Sequence, residues 1–423
     1  MNGRPLPLGH RIAMAVAALL LVFASPGQAV LPAHGETAAV AVAIDARIAG
    51  DDVRTRFVLD LDGQIPFSVS TLADPYRLVI DLPATDFKLP ADSGREGRGL
   101  IRTWRYGMFA PGKSRIVLDA TGPVEVDKTF VLPAVDDQPA RLVIDLVRTT
   151  REAFLEEVRK TRLAVEESAP KLAAPKGDRL DVRTVPGKPV IVLDPGHGGI
   201  DTGAVGVAGT LEKAVVLDFA SVLKRKLEET GRYTVHLTRE SDTFVPLRKR
   251  VKFGREMKAD LFVSIHADSV RHSRDAVRGA TVYTLSEKAS DDLAAQVAES
   301  ENLSDVIAGV ELAEEPADVT DILIDLARRE TKNFSTHFAR TLVSELRSAV
   351  KLINNPHRSG GFVVLKAHDV PSVLLELGYL SNEHDEKLLV SEAWRERTAN
   401  AVTEAIGAFF MPRFAMEKSA LPK

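Results

Sequence analysis

From Val190 onward, short apolar runs alternate with segments in which apolar residues recur every three or four positions. Val190–Leu193, Tyr233–Thr238, Leu261–His266, Ala280–Leu285, Phe362–Leu365 and Val373–Leu377 read as strands. Glu212–Thr230, Pro246–Lys258, Thr331–Leu352 and Ala393–Phe410 read as helices. Gly231 stops the first of these and Pro246 opens the second. The alternation predicts an α/β domain over residues 189–412, an open twisted sheet with helices on both faces. In such sheets ligands bind beyond the carboxyl ends of the strands.

Residues 36–150 follow a different period. Short stretches of alternating or β-branched character are separated by turn residues, which predicts a small all-β, sandwich-like domain. One motif recurs at uneven spacing: Arg56-Phe-Val-Leu-Asp60, Arg77-Leu-Val-Ile-Asp81, Arg115-Ile-Val-Leu-Asp119 and Arg141-Leu-Val-Ile-Asp145. Uneven spacing excludes a solenoid and suggests internal duplication. Leu78, Ile80 and Leu82 fall on one face of their strand, and Arg77, Val79 and Asp81 on the other. Residues 151–188 read as a linker: Arg151–Ser168 is charged and helix-prone, and Ala169–Pro189 is rich in Pro, Lys and Ala.

At the N-terminus, Arg4, His10 and Arg11 precede the apolar run Ile12–Ala24, followed by small residues up to Ala29. This is the pattern of a secretory signal peptide over residues 1–29. The run is shorter than the roughly 20 residues a bilayer span needs. The mature chain is therefore expected in the periplasm with no membrane span.

Composition narrows the function. Lys and Arg total 55 against 59 Asp and Glu, a net charge of −4. That balance lacks the basic footprint of a nucleic-acid binder. The chain has no cysteine, which excludes disulfides, thiolate zinc ligands and a cysteine nucleophile.

Two histidines sit where strands end. Val190–Leu193 runs into Asp194-Pro-Gly-His197-Gly-Gly199, and Leu261–Ile265 into His266-Ala-Asp268. Glu212 opens the helix after a glycine-rich loop. Two imidazoles and one carboxylate, with a position left for water, form the usual catalytic zinc set, although other divalent ions accept the same ligands. Asp194 or Asp268 is placed to orient a histidine ring. Glu376 ends the apolar strand Ser372–Leu375. A charge there is costly unless paired or functional, and beside a metal site it suits proton transfer. Each residue alone has an ordinary structural reading; their joint occurrence at strand ends points to a site. His10, His34, His236, His272, His337, His357, His368 and His384 lack that placement.

Residues 189–412 closely resemble the zinc-dependent N-acetylmuramoyl-L-alanine amidases of the type-3 amidase family. The resemblance rests on Asp194-Pro-Gly-His-Gly-Gly-x-Asp201-x-Gly203-Ala204, Glu212, Thr238-Arg239-x-x-Asp242, Ser264-Ile-His-Ala-Asp268 and Glu376-x-Gly-Tyr-Leu-Ser-Asn382. It implies one zinc ion held by His197, Glu212 and His266, with Glu376 as the catalytic acid and base. The implied reaction is hydrolysis of the amide between N-acetylmuramic acid and L-alanine in peptidoglycan, serving daughter-cell separation and cell-wall remodelling. Residues 36–150 resemble an AMIN domain, which implies targeting to peptidoglycan at the division site. Arg239, Asn382 and His357 are expected to line the substrate groove, and the default expectation is a monomer. Two other readings are a zinc peptidase acting on stem peptides and a non-catalytic peptidoglycan-binding module; the complete metal set weighs against the second.

Residues 286–330 form a long insertion, with helical character in Ser290–Ala298 and Thr320–Arg329. In division-associated members of this family such an insert blocks the zinc until an activator with a catalytically dead LytM-type domain displaces it. The resemblance thus implies an autoinhibited enzyme. Glu301 is the first candidate to cap the metal, with Glu299 and Glu287 behind it.

Overall fold

The computed structural model describes residues 40–90, 92–168, 187–270, 277–310 and 322–420. The expected signal peptide, the Pro- and Lys-rich part of the linker and residues 311–321 of the insertion lie outside the described residues.

The N-terminal domain is all-β. It comprises β1 (Ala41–Gly50), β2 (Arg54–Leu61), β3 (Ser68–Leu72), β4 (Arg77–Pro83), β5 (Thr85–Phe87), β6 (Ile101–Ala110), β7 (Lys113–Ala120), β8 (Val124–Leu132) and β9 (Ala140–Arg148). Two sheets form, in the orders β5-β1-β2-β9-β8 and β3-β4-β7-β6. Their inner faces share one core that includes Phe57, Leu59, Leu78, Ile80, Trp104, Ile116, Leu142 and Ile144. The recurring motif explains the outer faces. Its Arg and Asp are four apart, so both point away from the core. Antiparallel pairing then sets Arg56 opposite Asp145 and Asp60 opposite Arg141 in one sheet. In the other sheet it sets Arg77 opposite Asp119 and Asp81 opposite Arg115. Each opposite-charge pair adds about 0.2–1 kcal/mol. The first helix, α1 (Arg151–Ser168), is part of this domain rather than of the linker. Its Phe154 is buried in the sandwich core and meets Tyr76 edge-on at 5.0 Å.

The α/β domain contains β10 (Val190–Pro195), α2 (Glu212–Glu229), β11 (Thr234–Leu237), α3 (Leu247–Glu256), β12 (Leu261–His266) and β13 (Ala280–Leu285). It continues through α4 (Asp292–Asn302), α5 (Ser304–Ile307), α6 (Ile322–Ala349), β14 (Leu352–Gly360), β15 (Ser372–Glu376), α7 (Glu383–Leu389) and α8 (Glu392–Ala420). The sheet order is β11-β10-β12-β15-β13-β14. β11, β10, β12 and β15 run parallel, whereas β13 is antiparallel to β15. One core gathers α2, α6 and α8 on one face of the sheet. A second gathers α3, α4 and residues 362–370 on the other. The expected two-sided architecture is therefore present.

Three elements differ from the pattern-based reading. Phe362–Leu365 was expected to be a strand, yet Val363–Leu365 is a single 3-10 turn. A short apolar run does not separate strand from buried turn, and Phe362, Val364 and Leu365 are buried in the second core. The strand in that region is β14, whose Asn354, Asn355 and Pro356 carry little strand signal. At the sheet edge a proline is tolerated. The described part of the expected Thr320–Arg329 helix, from Ile322, joins the following helix as one long α6. Among the described residues, no helix is long and apolar enough to cross a membrane.

Candidate metal centre

Three neighbouring strands carry the site at their carboxyl ends. β10 pairs with β12 so that Pro195 meets Ile265, and β12 pairs with β15 so that His266 meets Glu376. The chain leaves β10 through Gly196, His197, Gly198 and Gly199, and His197 itself has φ of 57°. That left-handed backbone is unusual for a side chain with a Cβ. Two glycines make room for the cluster. A Cβ at Gly196 would lie 2.3 Å from the His266 ring, and one at Gly203 would lie 2.7 Å from both Glu212 and the His197 ring.

His197, Glu212, His266 and Glu301 are all buried, and each offers one ligand atom within 4.8 Å of the others. His197 Nε2 lies 3.2 Å from Glu212 Oε1 and 3.4 Å from Glu301 Oε2. His266 Nδ1 lies 3.3 Å and 2.8 Å from the same two oxygens. Despite these distances, neither His197 Nε2 nor His266 Nδ1 has a hydrogen-bond partner. Two buried ring nitrogens that converge with two carboxylate oxygens without hydrogen bonding suit lone pairs directed at one ion. The donor set therefore fits a divalent metal such as zinc. Buried nitrogens left this way with nothing between them are costly.

The surrounding bonds fix each donor. Asp201 Oδ2 accepts from His197 Nδ1 at 2.9 Å, which leaves Nε2 its lone pair. Glu212 accepts from Ala267 N and Ala204 N, each at 2.8 Å. Burial alone raises its carboxyl pKa, but His197 and His266 together outweigh that and hold it well below the ordinary value. Burial likewise lowers the imidazoles. Glu212, Asp201 and Glu301 hold His197 well above its ordinary value, and Glu301 with Glu212 raises His266 to about 10. Negative charge gathered around two imidazoles is the field a cation needs.

Glu376 is fully buried beside this cluster. Its Oε2 accepts from Asp268 N at 3.0 Å, and its Oε1 has no partner. Burial raises its pKa well above the ordinary value, and Asp268, Glu301 and Glu212 add to that. One free carboxylate oxygen with an elevated proton affinity can take and return a proton.

Several expected residues do other work. Asp194 does not orient a histidine; it accepts from Thr238 Oγ1 at 2.5 Å, Ser264 Oγ at 2.7 Å and Arg250 Nη1 at 2.8 Å. The ring-orienting carboxylate is Asp201. Asp268 meets the site through its backbone bond to Glu376. Arg239 does not line a groove. It is buried and donates to the carbonyls of Pro195, Gly196, Ser241 and Lys213, bracing the glycine-rich turn. Asn382 is buried and caps α7, accepting from His384 N and Asp385 N. His357 sits on edge strand β14, with Nε2 3.2 Å from Thr284 Oγ1. Glu287 and Glu299 are exposed, whereas Glu301 faces the histidines.

Arg250 was missed from sequence. It donates to Asp194, Pro195 O, His197 O and Val245 O at 2.7–2.8 Å. It sits in Leu247-Arg-Lys-Arg250, where helical periodicity hinted at an inward arginine without identifying its partners. Glu386 was missed as well. It accepts from Ala208 N and Thr210 N and so pins the loop that leads to Glu212.

Residues 191–408 match the family described as N-acetylmuramoyl-L-alanine amidase, and residues 43–146 match the AMIN domain. The chain is 32% identical over 385 residues to N-acetylmuramoyl-L-alanine amidase AmiC of Escherichia coli O6:H1, covering 88% of this chain and 90% of that one. It is 34% identical over 378 residues to N-acetylmuramoyl-L-alanine amidase AmiC of Neisseria meningitidis serogroup B, covering 85% and 88%. A solved structure, N-acetylmuramoyl-L-alanine amidase AmiC2 of Nostoc punctiforme, is 28% identical with a TM-score of 0.40, covering 53% of this chain and 98% of that one.

Proposed function

The chain belongs to the N-acetylmuramoyl-L-alanine amidase family, and from that premise we propose that it is a zinc-dependent, autoinhibited peptidoglycan amidase of the periplasm. It cuts the amide between N-acetylmuramic acid and L-alanine during cell separation and wall remodelling. The observation that carries this reading is the convergence of His197 Nε2, His266 Nδ1 and Glu212 Oε1 beside the free oxygen of Glu376.

His197, Glu212 and His266 would hold the ion. A bound zinc supplies Lewis acidity toward water and the amide carbonyl. Asp201 keeps the His197 proton on Nδ1, so Nε2 stays a donor to the ion. Glu376 Oε1 takes the proton of the attacking water and returns it to the departing L-alanine nitrogen. Burial supports this role, since a carboxylate of raised proton affinity is the better base.

Glu301 is the autoinhibitory element in this reading. A catalytic zinc needs three protein ligands and one open position, and Glu301, whose Oε2 lies 2.8 Å from His266 Nδ1, would fill that position. An activator, for which the family resemblance implies a LytM-type domain, must draw α4 away. Peptidoglycan turnover tests the reading. Glu301→Ala should release stem peptides with free L-alanine amines, leave glycan chains intact, stop on chelation and outpace the parent. A folded, zinc-loaded Glu301→Ala protein that releases no stem peptide would refute it.

A further inference from the structure

The segment that follows Glu301 is gripped from its other side by the β-domain. Arg77 Nη1 donates to Val306 O at 2.6 Å, and Arg105 Nε donates to Ile307 O. Arg115 Nη1 donates to Ala308 O at 3.1 Å and Gly309 O at 2.9 Å. Four successive carbonyls at the end of α5 thus accept from three arginines on the outer face of β4, β6 and β7. Helix ends leave such carbonyls without intrahelical partners, and cations are favoured beside them. Apolar contact extends the grip: Val79 and Val117 of the same face pack with Ala308, Ile200 and Phe244.

The arginines are set in place before they reach the segment. Arg115 spends Nε and Nη2 on Asp81, and Arg105 spends Nη1 on Asp119 at 2.5 Å. The remaining edges point outward at the carbonyls. In the other sheet the same motif pairs Arg56 with Asp145 at 2.6 and 2.7 Å. There the Arg56 side chain is 50% exposed, against 11% for Arg115. The motif needs no cover to form its ladder, so the cover over β4, β6 and β7 is a separate interaction. The α/β domain holds the segment from below. Ser304 Oγ donates to Asp201, Asp305 Oδ1 accepts from Leu247 N at 2.9 Å, and Asn302 Nδ2 donates to Gly361 O at 2.9 Å.

We infer that the outer face of the β3-β4-β7-β6 sheet is a docking surface for residues 306–309, and that Arg77, Arg105 and Arg115 are positioning residues that hold Glu301 over the metal centre. The β-domain is then the latch of the lock as well as a targeting module. This rests on the reading of Glu301 as the blocking carboxylate, and the test separates the two.

The full-length mature chain is compared as parent, Glu301→Ala, the double variant Arg105→Ala/Arg115→Ala, and Gly309→Val. The last is a wedge: a Cβ at Gly309 would lie 2.9 Å from the methyls of both Val79 and Val117, at φ of +65°, and those two valines lie outside the sandwich core. Hydrogen–deuterium exchange over residues 301–309 is read with turnover on purified peptidoglycan. Exchange across β4 and β7 serves as the folding control. In both latch variants exchange over 301–309 should rise about tenfold or more, the scale of losing charge-assisted hydrogen bonds, and turnover should rise toward that of Glu301→Ala. Unchanged exchange over 301–309 in both variants overturns the docking surface, whatever turnover does. Faster exchange with a Glu301→Ala protein no faster than the parent upholds the docking surface and sinks the blocking role of Glu301.

Discussion

Asp201→Asn isolates what a single oxygen does for the metal centre. Asp201 is buried, and its two oxygens face three donors: Oδ2 accepts from His197 Nδ1 at 2.9 Å and from Ser304 Oγ, and Oδ1 accepts from Gly203 N at 3.1 Å. An asparagine keeps the shape but has only one acceptor. If its oxygen serves His197, its NH2 meets the Gly203 N–H, donor against donor. If its oxygen serves Gly203, its NH2 faces Nδ1, the imidazole proton moves to Nε2, and the lone pair aimed at the ion is lost. Either arrangement forfeits one buried hydrogen bond, about 1–3 kcal/mol. Since about 1.4 kcal/mol is tenfold, zinc affinity should fall about 10- to 100-fold, the usual cost of losing an outer partner of a metal-bound histidine. Competition for zinc against a chromophoric chelator at fixed pH measures it, with melting in excess chelator as the folding control. An Asp201→Asn protein binding zinc within about twofold of the parent would refute the tautomer argument.

Other outcomes follow from the same contacts. Glu376→Gln keeps an acceptor for Asp268 N but has no base, so turnover should drop about 10²- to 10⁴-fold with zinc content unchanged by metal analysis; near-parent turnover would exclude it as the proton carrier. Arg250→Met strands Asp194 and three carbonyls in a buried site, and breaking a buried pair costs about 3–5 kcal/mol; denaturant unfolding of the α/β domain should show it, and Arg250→Lys should not restore it because one ammonium cannot span those four acceptors. In the β-domain, the Arg56 hydrogen bond holds Asp145 below its ordinary pKa. A depressed carboxyl stabilises the fold above its unfolded value near 4, and that stability is lost as pH falls through its lower folded value. Arg56→Gln should therefore flatten the acid dependence of unfolding below about pH 4, and an unchanged acid limb would count against the pair.

The legible part of this molecule is the part set by local pattern. β12 is apolar apart from Ser264 and ends in a histidine; β10 is apolar up to Asp194 and runs into a glycine-rich turn. Those features predict both the sheet and the place where polar residues converge, because strand order brings adjacent carboxyl ends together. Partner choice was not legible. Asp194 and Asp201 flank the same turn, and only the fold shows that Arg250 takes the first and His197 the second. Arg239 looked like a groove residue because an arginine after a strand end is usually solvated, yet four main-chain carbonyls of the turn enclose it. β14 escaped notice because an edge strand needs neither alternation nor β-branched residues.

The proposed lock was legible on one side only. An acidic residue in an insertion is an evident candidate for a metal, and the choice among Glu287, Glu299 and Glu301 turns on helical phase: Val297 and Glu301 are four apart, so both face inward. The latch side has no such signal. The Arg-x-Val-x-Asp motif occurs in both sheets with the same cross-strand ladder, so nothing local separates Arg56, left half in solvent, from Arg115, which reaches the carbonyls of Ala308 and Gly309. What distinguishes them is a contact across nearly two hundred residues of chain. The geometry also bears on how the lock is best probed. Ala294, Val297 and Ala298 of α4 are buried against Tyr283, Phe362 and Leu374, so excising the insertion opens a core along with the site. Gly309→Val and Glu301→Ala instead act at the two ends of one short lever: the first should free residues 301–309 while β4 and β7 stay protected, and the second removes the carboxylate while leaving the arginine contacts in place.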